Sequence, residues 1–556
     1  MDVETVFHIE SRMRAHLEKL VLLMHREGKS ARLAGVTLLN EGNDFILGAL
    51  VHAAYRLWRT GEGEEKRLLF SALSTFFAWT EDAPCGTWGK MSLLSVLCDM
   101  KERGELSLLS PALLTVLRKK TDIGDFYDRS RHELIGKAAN YLHVAATCIS
   151  RRAKLGWETE DTQKAVTARL LAAISSRDAC GFLDDEPPEG RFDSYTFMVM
   201  REIPDQCAEA GIAVPEAALS NLRTAATAFL KMANARGDGF VYGRSLSVYG
   251  DTAPIGLLLS AMKRDLLTEE EKKLAYAYIL AILDKLSRFW YDEKRGIFNI
   301  WFDGRATDGY REVHRLLEVN LGIGENILNT VEDLTSLGLW GETPIEIPSP
   351  ATWEAHTVSF LDTEDQKAAA VILRYKDTLA MLPLVGSGSV SSFAKYLPFP
   401  GIAGVLEAAP QSYAPYLVPE YKKDGEIFRP IQYYTSIRTE TTPSGVRVTA
   451  EGNLAHPSLW PSRPTRTHNT FLAEYLFEGD IITASFQTDL PFDRVRMQTA
   501  TTGREASLRA FGFARSEEIP LGKKDTMAPH GAYTSAFMHT ADSAPSVGWR
   551  LTLSRE

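Results

Sequence analysis

Apolar positions recur at helical spacing over about the first 340 residues. They run through 6–26 and return at 44–59, 65–79, 90–102, 110–119, 132–153, 160–175, 195–209, 216–234, 253–263 and 268–290. Each segment is amphipathic or largely apolar, as expected of a helix that buries one face. Short connectors bearing Gly, Pro or Asp divide them, among them Thr80-Glu81-Asp82-Ala83-Pro84 and Arg236-Gly237-Asp238-Gly239. Thr268 followed by Glu269, Glu270 and Glu271 reads as an N-cap with acidic first-turn residues that suit the helix dipole. The pattern predicts roughly eleven or twelve helices, with no ankyrin or TPR period.

The period then changes. Thr343–Pro350 is a Pro-rich linker. Beyond it, alternating or β-branched runs cover 356–360, 370–375, 445–450, 469–477, 481–487, 494–499 and 548–553, with turn signals such as Pro443-Ser444-Gly445 between them. Short strands at such spacing predict an antiparallel β-sandwich. The stretch 386–430, rich in Gly, Pro, Ser and Tyr, reads as long loops. An even ring of helical hairpins closes into a toroid, and a sandwich can pack on one rim. The expected architecture is α+β multidomain: an N-terminal (α/α)6-type toroid over 1–342, a linker at 343–350 and a β-sandwich over 351–556.

Composition narrows the partners. The 556 residues are 45% hydrophobic and carry a net charge of −10. That balance disfavours nucleic acid as a partner. Five cysteines, none in a C-x-x-C pair, read as reduced thiols. No stretch approaches the roughly 20 apolar residues that cross a bilayer. With an acidic N-terminus that lacks a signal-peptide pattern, the expectation is a soluble, cytoplasmic chain; a processed secreted form would read the same. A homo-oligomer is left open.

Several clusters can carry chemistry. Arg191-Phe192-Asp193-Ser194-Tyr195 opens a helix, with Asp193 as its N-cap and Tyr195 in the first turn. Tyr242-Gly243-Arg244-Ser245-Leu246 sets a phenol two residues from a guanidinium. If that segment is extended, the two share a face, and the cation favours phenolate. Asn140 and His143 share a helix face. His468 enters a strand just after two arginines (Arg463 and Arg466), with His456 and Trp460 upstream. Tyr310, Arg311, Glu312 and His314 crowd one short stretch, and Trp301 and Trp290 offer a sugar-stacking platform or core. Each has a bland alternative: a cap, a surface ion pair, a packing contact. No H-E-x-x-H, paired-His or P-loop pattern occurs, and Gly322-Ile323-Gly324 lacks the third glycine of a dinucleotide loop. No cofactor is evident; a structural calcium on scattered carboxylates is left open.

Together these segments resemble the toroid-plus-sandwich polysaccharide lyases of the heparinase II/III and alginate-lyase type. Thr467-His468-Asn469-Thr470 resembles the H-N-T that opens a sandwich strand there. F-D-S-Y at 192–195 and Y-G-R-S-L at 242–246 resemble a bacterial family of unknown-function domains bearing F-D-Y-Y and G-R-S-L-T-Y-R. The resemblance implies β-elimination at a uronic acid within an acidic oligosaccharide or polysaccharide. That reaction needs the carboxylate neutralised, a base for the C5 proton and an acid for the leaving O4. The roles implied are Arg244 and Asn140 on the carboxylate, Tyr242 or Tyr195 as base and acid, and His468 or His143 as partner. Asp193, Tyr310, Arg311, His314 and Trp301 then complete the substrate-binding set. Two alternatives stand beside it. One is a toroid glycoside hydrolase using carboxyls among Asp193, Glu202, Asp251 and Glu312. The other is a non-catalytic carbohydrate-binding protein.

Overall fold

The computed structural model describes residues 6–40, 43–175, 180–188, 190–387, 394–457, 464–522 and 526–554. Twelve α-helices occupy the N-terminal part among the described residues: α1 Ile9–Glu27, α2 Ile46–Thr60, α3 Gly63–Trp79, α4 Thr87–Glu102, α5 Pro111–Lys120, α6 Tyr141–Lys154, α7 Glu160–Ser175, α8 Ser194–Glu209, α9 Glu216–Met232, α10 Val248–Lys263, α11 Glu269–Lys285 and α12 Leu316–Ser336. The even-numbered helices pack in sequence, α2 on α4, α4 on α6, α6 on α8, α8 on α10, α10 on α12, and α12 back on α2. The odd-numbered helices lie outside them, and α1 locks the seam between α12 and α2. This is a closed (α/α)6 toroid.

Local chemistry sets the helix ends. Thr268 caps α11, accepting from the Glu271 backbone N–H while the Glu271 carboxylate returns to the Thr268 N–H. Ser110 caps α5 ahead of Pro111 at its first position. The helix expected over 132–153 starts only at Tyr141; residues 127–134 form a short ribbon instead. Helix α12 was not among the expected segments. Gly322 and Gly324 weaken its local signal, yet Gly324 is needed for packing: a Cβ there would lie 2.8 Å from Leu17 Cδ2 on α1.

Among the described residues the C-terminal part is a thirteen-stranded antiparallel sheet system: β1 Glu354–Asp362, β2 Lys367–Tyr375, β3 Thr378–Leu384, β4 Glu420–Lys423, β5 Glu426–Thr442, β6 Gly445–His456, β7 Thr465–Glu478, β8 Ile481–Thr488, β9 Arg494–Thr501, β10 Ser507–Phe511, β11 Arg515–Glu518, β12 Ser535–Ala541 and β13 Val547–Thr552. The order is β10-β13-β8-β7-β6-β5-β4-β9-β12-β11, with β2 joining β5 and carrying β1 and β3. The long β5 pairs with β6 over most of its length and with β4 at its start, so it passes from one layer to the other. Val448, Tyr475, Val495, Met497 and Trp549 from the two layers meet in one core. This is the β-sandwich. Residues 386–430, expected to be mostly loop, also hold β4 and the first part of β5.

The sandwich is fused to the toroid through packing. Phe360 of β1 stacks on Phe192 at 4.9 Å and meets Phe182 and Phe197 edge-on. Val358, Ile372, Met381 and Tyr396 belong to the toroid's core cluster. No described helix is long and apolar enough to cross a membrane.

Candidate active site at the toroid mouth

A cavity of about 530 Å³ runs inside the ring, lined by residues from all six inner helices. Tyr195, Tyr249, Arg311 and Glu318 stand at one end; Asp205, Lys263 and Asp333 stand at the other.

Two loops and one inserted segment build the mouth. In the first loop, Asp184 accepts backbone N–H groups of Glu186, Gly190 and Arg191 at 2.9–3.1 Å, which folds the loop tightly. Asp185 then receives the Arg191 guanidinium (Nε 3.1 Å, Nη2 2.5 Å), Arg244 and the Asn140 N–H (3.0 Å). Asp193 caps α8, accepting from Tyr195 N at 2.9 Å. It also binds Arg244 Nε at 3.1 Å and the Tyr396 hydroxyl at 2.8 Å. Burial alone would raise the Asp193 pKa, but Arg244 and Arg191 outweigh it and hold it below the usual range.

The second loop carries Tyr242 to Ser247. Gly243 has φ +83°, and a Cβ there would lie 2.5 Å from Asp193 Cβ. Ser245 and Ser247 also have positive φ, +57° and +71°, a strained conformation for non-glycine residues. The expected extended run is therefore broken, and Tyr242 and Arg244 part company. Tyr242 turns into the core beside Phe240, with ring centroids 5.4 Å apart. Its hydroxyl has no hydrogen-bond partner among the described residues, and burial plus Asp193 push its pKa well up. This corrects the expectation that Arg244 lowers it. Arg244 instead lies over the Tyr195 ring at 4.4 Å.

The sandwich side supplies a segment that sequence reasoning missed. The Lys395 carbonyl accepts from Gly243 N at 2.8 Å, and its ammonium pairs with buried Asp308. Asp308 in turn accepts from Ser245 N at 2.6 Å and from the Tyr310 hydroxyl at 2.9 Å. Burial would raise the Asp308 pKa; Lys395 and Arg311 hold it low. A chain of hydroxyls completes the arrangement: Tyr195 to Ser245 at 2.7 Å, and Ser245 to Tyr310 at 3.1 Å. Tyr310 is 47% exposed overall, while its hydroxyl points inward.

Of the expected residues, Tyr195, His143, Arg311 and the hydrolase candidate Glu202 line the cavity. Arg311 lies 3.8 Å over the Tyr249 ring, and its Nε and Nη1 have no hydrogen-bond partner among the described residues. Trp301 does not stack at the cavity; its indole N–H holds the Arg311 carbonyl at 2.8 Å. His143 is pulled down to about 4, mainly by burial, so it is neutral near pH 7 and cannot serve as a cationic neutraliser. Asn140 sits behind Asp185 rather than on the cavity. His314 lies off the cavity, its carbonyl held by Asn40.

Other expectations are corrected outright. His468 is exposed on β7 and is not part of the cavity wall; the strand alternation turns it outward. Trp290 is fully buried, its indole N–H donating to Asp251 at 2.7 Å, so it is core and not a sugar platform. Asp251 faces away from the cavity into a buried network with Lys285 (2.7 Å) and His530 (3.9 Å). Although burial opposes it, Lys285 and His530 hold the Asp251 pKa far down, which rules it out as a general acid. Glu312 is exposed and off the cavity. Trp460 and Arg463 lie outside the described residues. Among the described residues no group of three or more His, Cys, Asp or Glu is placed to hold a metal.

No known sequence family and no curated protein matches the chain. Among solved structures it is similar to heparan sulfate lyase HepC from Pedobacter heparinus, with 12% identity over 97% of this chain and 88% of that one, TM-score 0.26. It is also similar to a chondroitinase AC lyase solved in oligosaccharide complexes, with 9% identity over 99% and 83%, TM-score 0.44. A third is a heparinase III, with 10% identity over 96% and 84%, TM-score 0.26.

Proposed function

We propose that the chain is a carbon–oxygen lyase that cleaves a uronate-containing oligosaccharide by β-elimination at the toroid mouth. The observation that carries this reading is the pairing of Tyr195 with Arg311. A phenol braced by a guanidinium and a second guanidinium whose buried Nε and Nη1 have no hydrogen-bond partner among the described residues line the same cavity. Arg311 takes the uronate carboxylate and makes the C5 proton acidic. Tyr195, whose hydroxyl meets Ser245 at 2.7 Å and whose ring is braced by Arg244, takes that proton as the base. The C4–O4 bond breaks, a C4=C5 double bond forms, and the proton on Tyr195 passes to the departing O4. Arg244 is ion-paired with both Asp185 and Asp193, so it supports Tyr195 and leaves the substrate carboxylate to Arg311.

One observation favours a second reading. Glu318 lines the cavity, and burial raises its pKa despite Arg315 at 3.1 Å. A raised carboxyl is what a glycoside hydrolase needs as its acid. The test is a panel of uronate oligosaccharides followed by ultraviolet absorbance and product mass. New absorbance without added water supports elimination. Cleavage with added water and no chromophore replaces it with hydrolysis through Glu318, and binding without any product leaves a carbohydrate-binding protein.

A further inference from the structure

The hydroxyl chain at the mouth has a direction, and its carboxylate end sets it. Asp308 Oδ1 receives the Lys395 ammonium. Asp308 Oδ2 receives the Ser245 backbone N–H at 2.6 Å and the Tyr310 hydroxyl at 2.9 Å. Although burial opposes it, Lys395 and Arg311 hold Asp308 ionised, and an ionised carboxylate only accepts hydrogen bonds. The single Tyr310 hydroxyl hydrogen is therefore taken up by Asp308. The Tyr310 oxygen then faces Ser245 Oγ, 3.1 Å away, as an acceptor. On its other side Ser245 Oγ lies 2.7 Å from the Tyr195 hydroxyl.

The one Ser245 hydroxyl hydrogen thus has two acceptors. Directed to Tyr310, it leaves Ser245 Oγ to accept from Tyr195, and the Tyr195 hydrogen is turned inward, away from the cavity. Directed to Tyr195, it fills the inner side of that oxygen and leaves only the cavity side open. The backbone points the same way. Ser245 is buried at the cavity wall with φ +57°, a conformation that glycine adopts without strain. What serine adds there, at the expense of that strain, is its hydroxyl.

We infer that Ser245 is a positioning residue for the proton transfer: by donating to the Tyr195 oxygen from within, it confines the travelling proton to the cavity side. This rests on the reading of Tyr195 as the group that takes and returns that proton. The C5–H bond breaks as an O–H bond forms on the cavity side of Tyr195. That O–H bond then breaks as O4 gains the proton, and the Ser245 hydrogen stays on Ser245 throughout. Tyr310 and Asp308 act one step further back, by offering the alternative acceptor that lets the Ser245 hydroxyl swing between an idle and a working orientation.

Ser245→Gly isolates the hydroxyl, because glycine accepts the backbone conformation at this position. Its melting temperature should equal or exceed that of the wild type. In the ultraviolet assay its kcat should fall about tenfold or more, the loss expected for one hydrogen bond to a reacting group, while KM stays within a few fold. Tyr310→Phe should lower kcat less. A second readout needs no turnover: carbon nuclear magnetic resonance of the full chain with an isotope label at tyrosine Cζ. The Tyr195 resonance, identified by its loss in Tyr195→Phe, should move in Ser245→Gly and also in Tyr310→Phe. Phenylalanine keeps the ring at 310, so the second shift reports the hydroxyl alone. The assignment is overturned if Ser245→Gly keeps the wild-type kcat, or if Tyr310→Phe leaves the Tyr195 resonance in place. Absence of unsaturated product from the wild type overturns the lyase reading itself, and with it the role of Ser245, whatever the resonances show; the two failures are thereby told apart.

Discussion

Arg244 spans Asp193 and Tyr195: its Nε binds the Asp193 carboxylate at 3.1 Å, and its guanidinium plane covers the Tyr195 ring at 4.4 Å. The acid at the start of α8 thus fixes the cation that conditions the phenol two residues on. Two tyrosines near this arginine consequently have opposite fates, one on the cavity and one in the core.

Tyr195→Phe should lower kcat by about 10²–10⁴, the range for loss of a general acid–base group, with the fold intact. Tyr242→Phe should leave kcat within a few fold, because the Tyr242 hydroxyl makes no hydrogen bond among the described residues. Steady-state absorbance assays of both variants decide between the two phenols. A larger loss in Tyr242→Phe would reverse the assignment.

Arg311→Ala should raise KM on the order of tenfold or more and lower kcat as well, since the lost cation both holds the carboxylate and acidifies the C5 proton. Arg311→Lys should recover only part of this, since a point charge cannot reproduce a two-pronged grip. An unchanged KM in both variants would remove Arg311 from the carboxylate.

Asp193→Asn should destabilise the chain by on the order of 3 kcal/mol, because it leaves buried Arg244 with one charged partner fewer. Thermal melting measures the loss, and Tyr396→Phe, which removes only the 2.8 Å hydrogen bond, should cost less. Glu318→Gln should leave elimination in place; if it abolishes cleavage, hydrolysis is the reaction.

Stability should fall on the alkaline side through His530. Burial alone would lower its pKa, but Glu407 at 2.6 Å and Asp251 raise it, with Lys285 opposing. A raised folded pKa contributes stability that is fully present below the ordinary value of 6.5 and lost as pH rises through the folded value. The melting temperature of the wild type should therefore drop more between pH 6 and pH 9 than that of His530→Gln. Parallel curves would show that His530 stays neutral in the folded chain.

Helical periodicity makes most of the toroid legible, because each helix buries a stripe and its connectors carry Gly, Pro or Asp. Helix α12 escapes because Gly322 and Gly324 depress its local signal, and the reason for Gly324 is a distant one, the approach of Leu17. Asp193 and Tyr195 are readable from the cap pattern alone. The separation of Tyr242 from Arg244 is not, since it depends on positive φ at Gly243 and Ser245. Lys395 and Tyr396 are equally silent: nothing near them in the chain signals that they meet Asp308 and Asp193, 87 and 203 positions earlier. His468 shows the converse, where a short motif looks chemical and the strand turns it to solvent.

The Lys395-Tyr396 insertion bears on modularity. With both residues gone, Asp308 and Asp193 would each keep a buried negative charge short of a partner. The helical ring cut free at the linker should then be a poor stand-alone unit, and swapping its sandwich for another would succeed only if the newcomer brought a lysine–tyrosine pair to the same place. The two halves are bound to change together, because the sandwich side supplies two of the braces that hold the mouth of the ring's cavity.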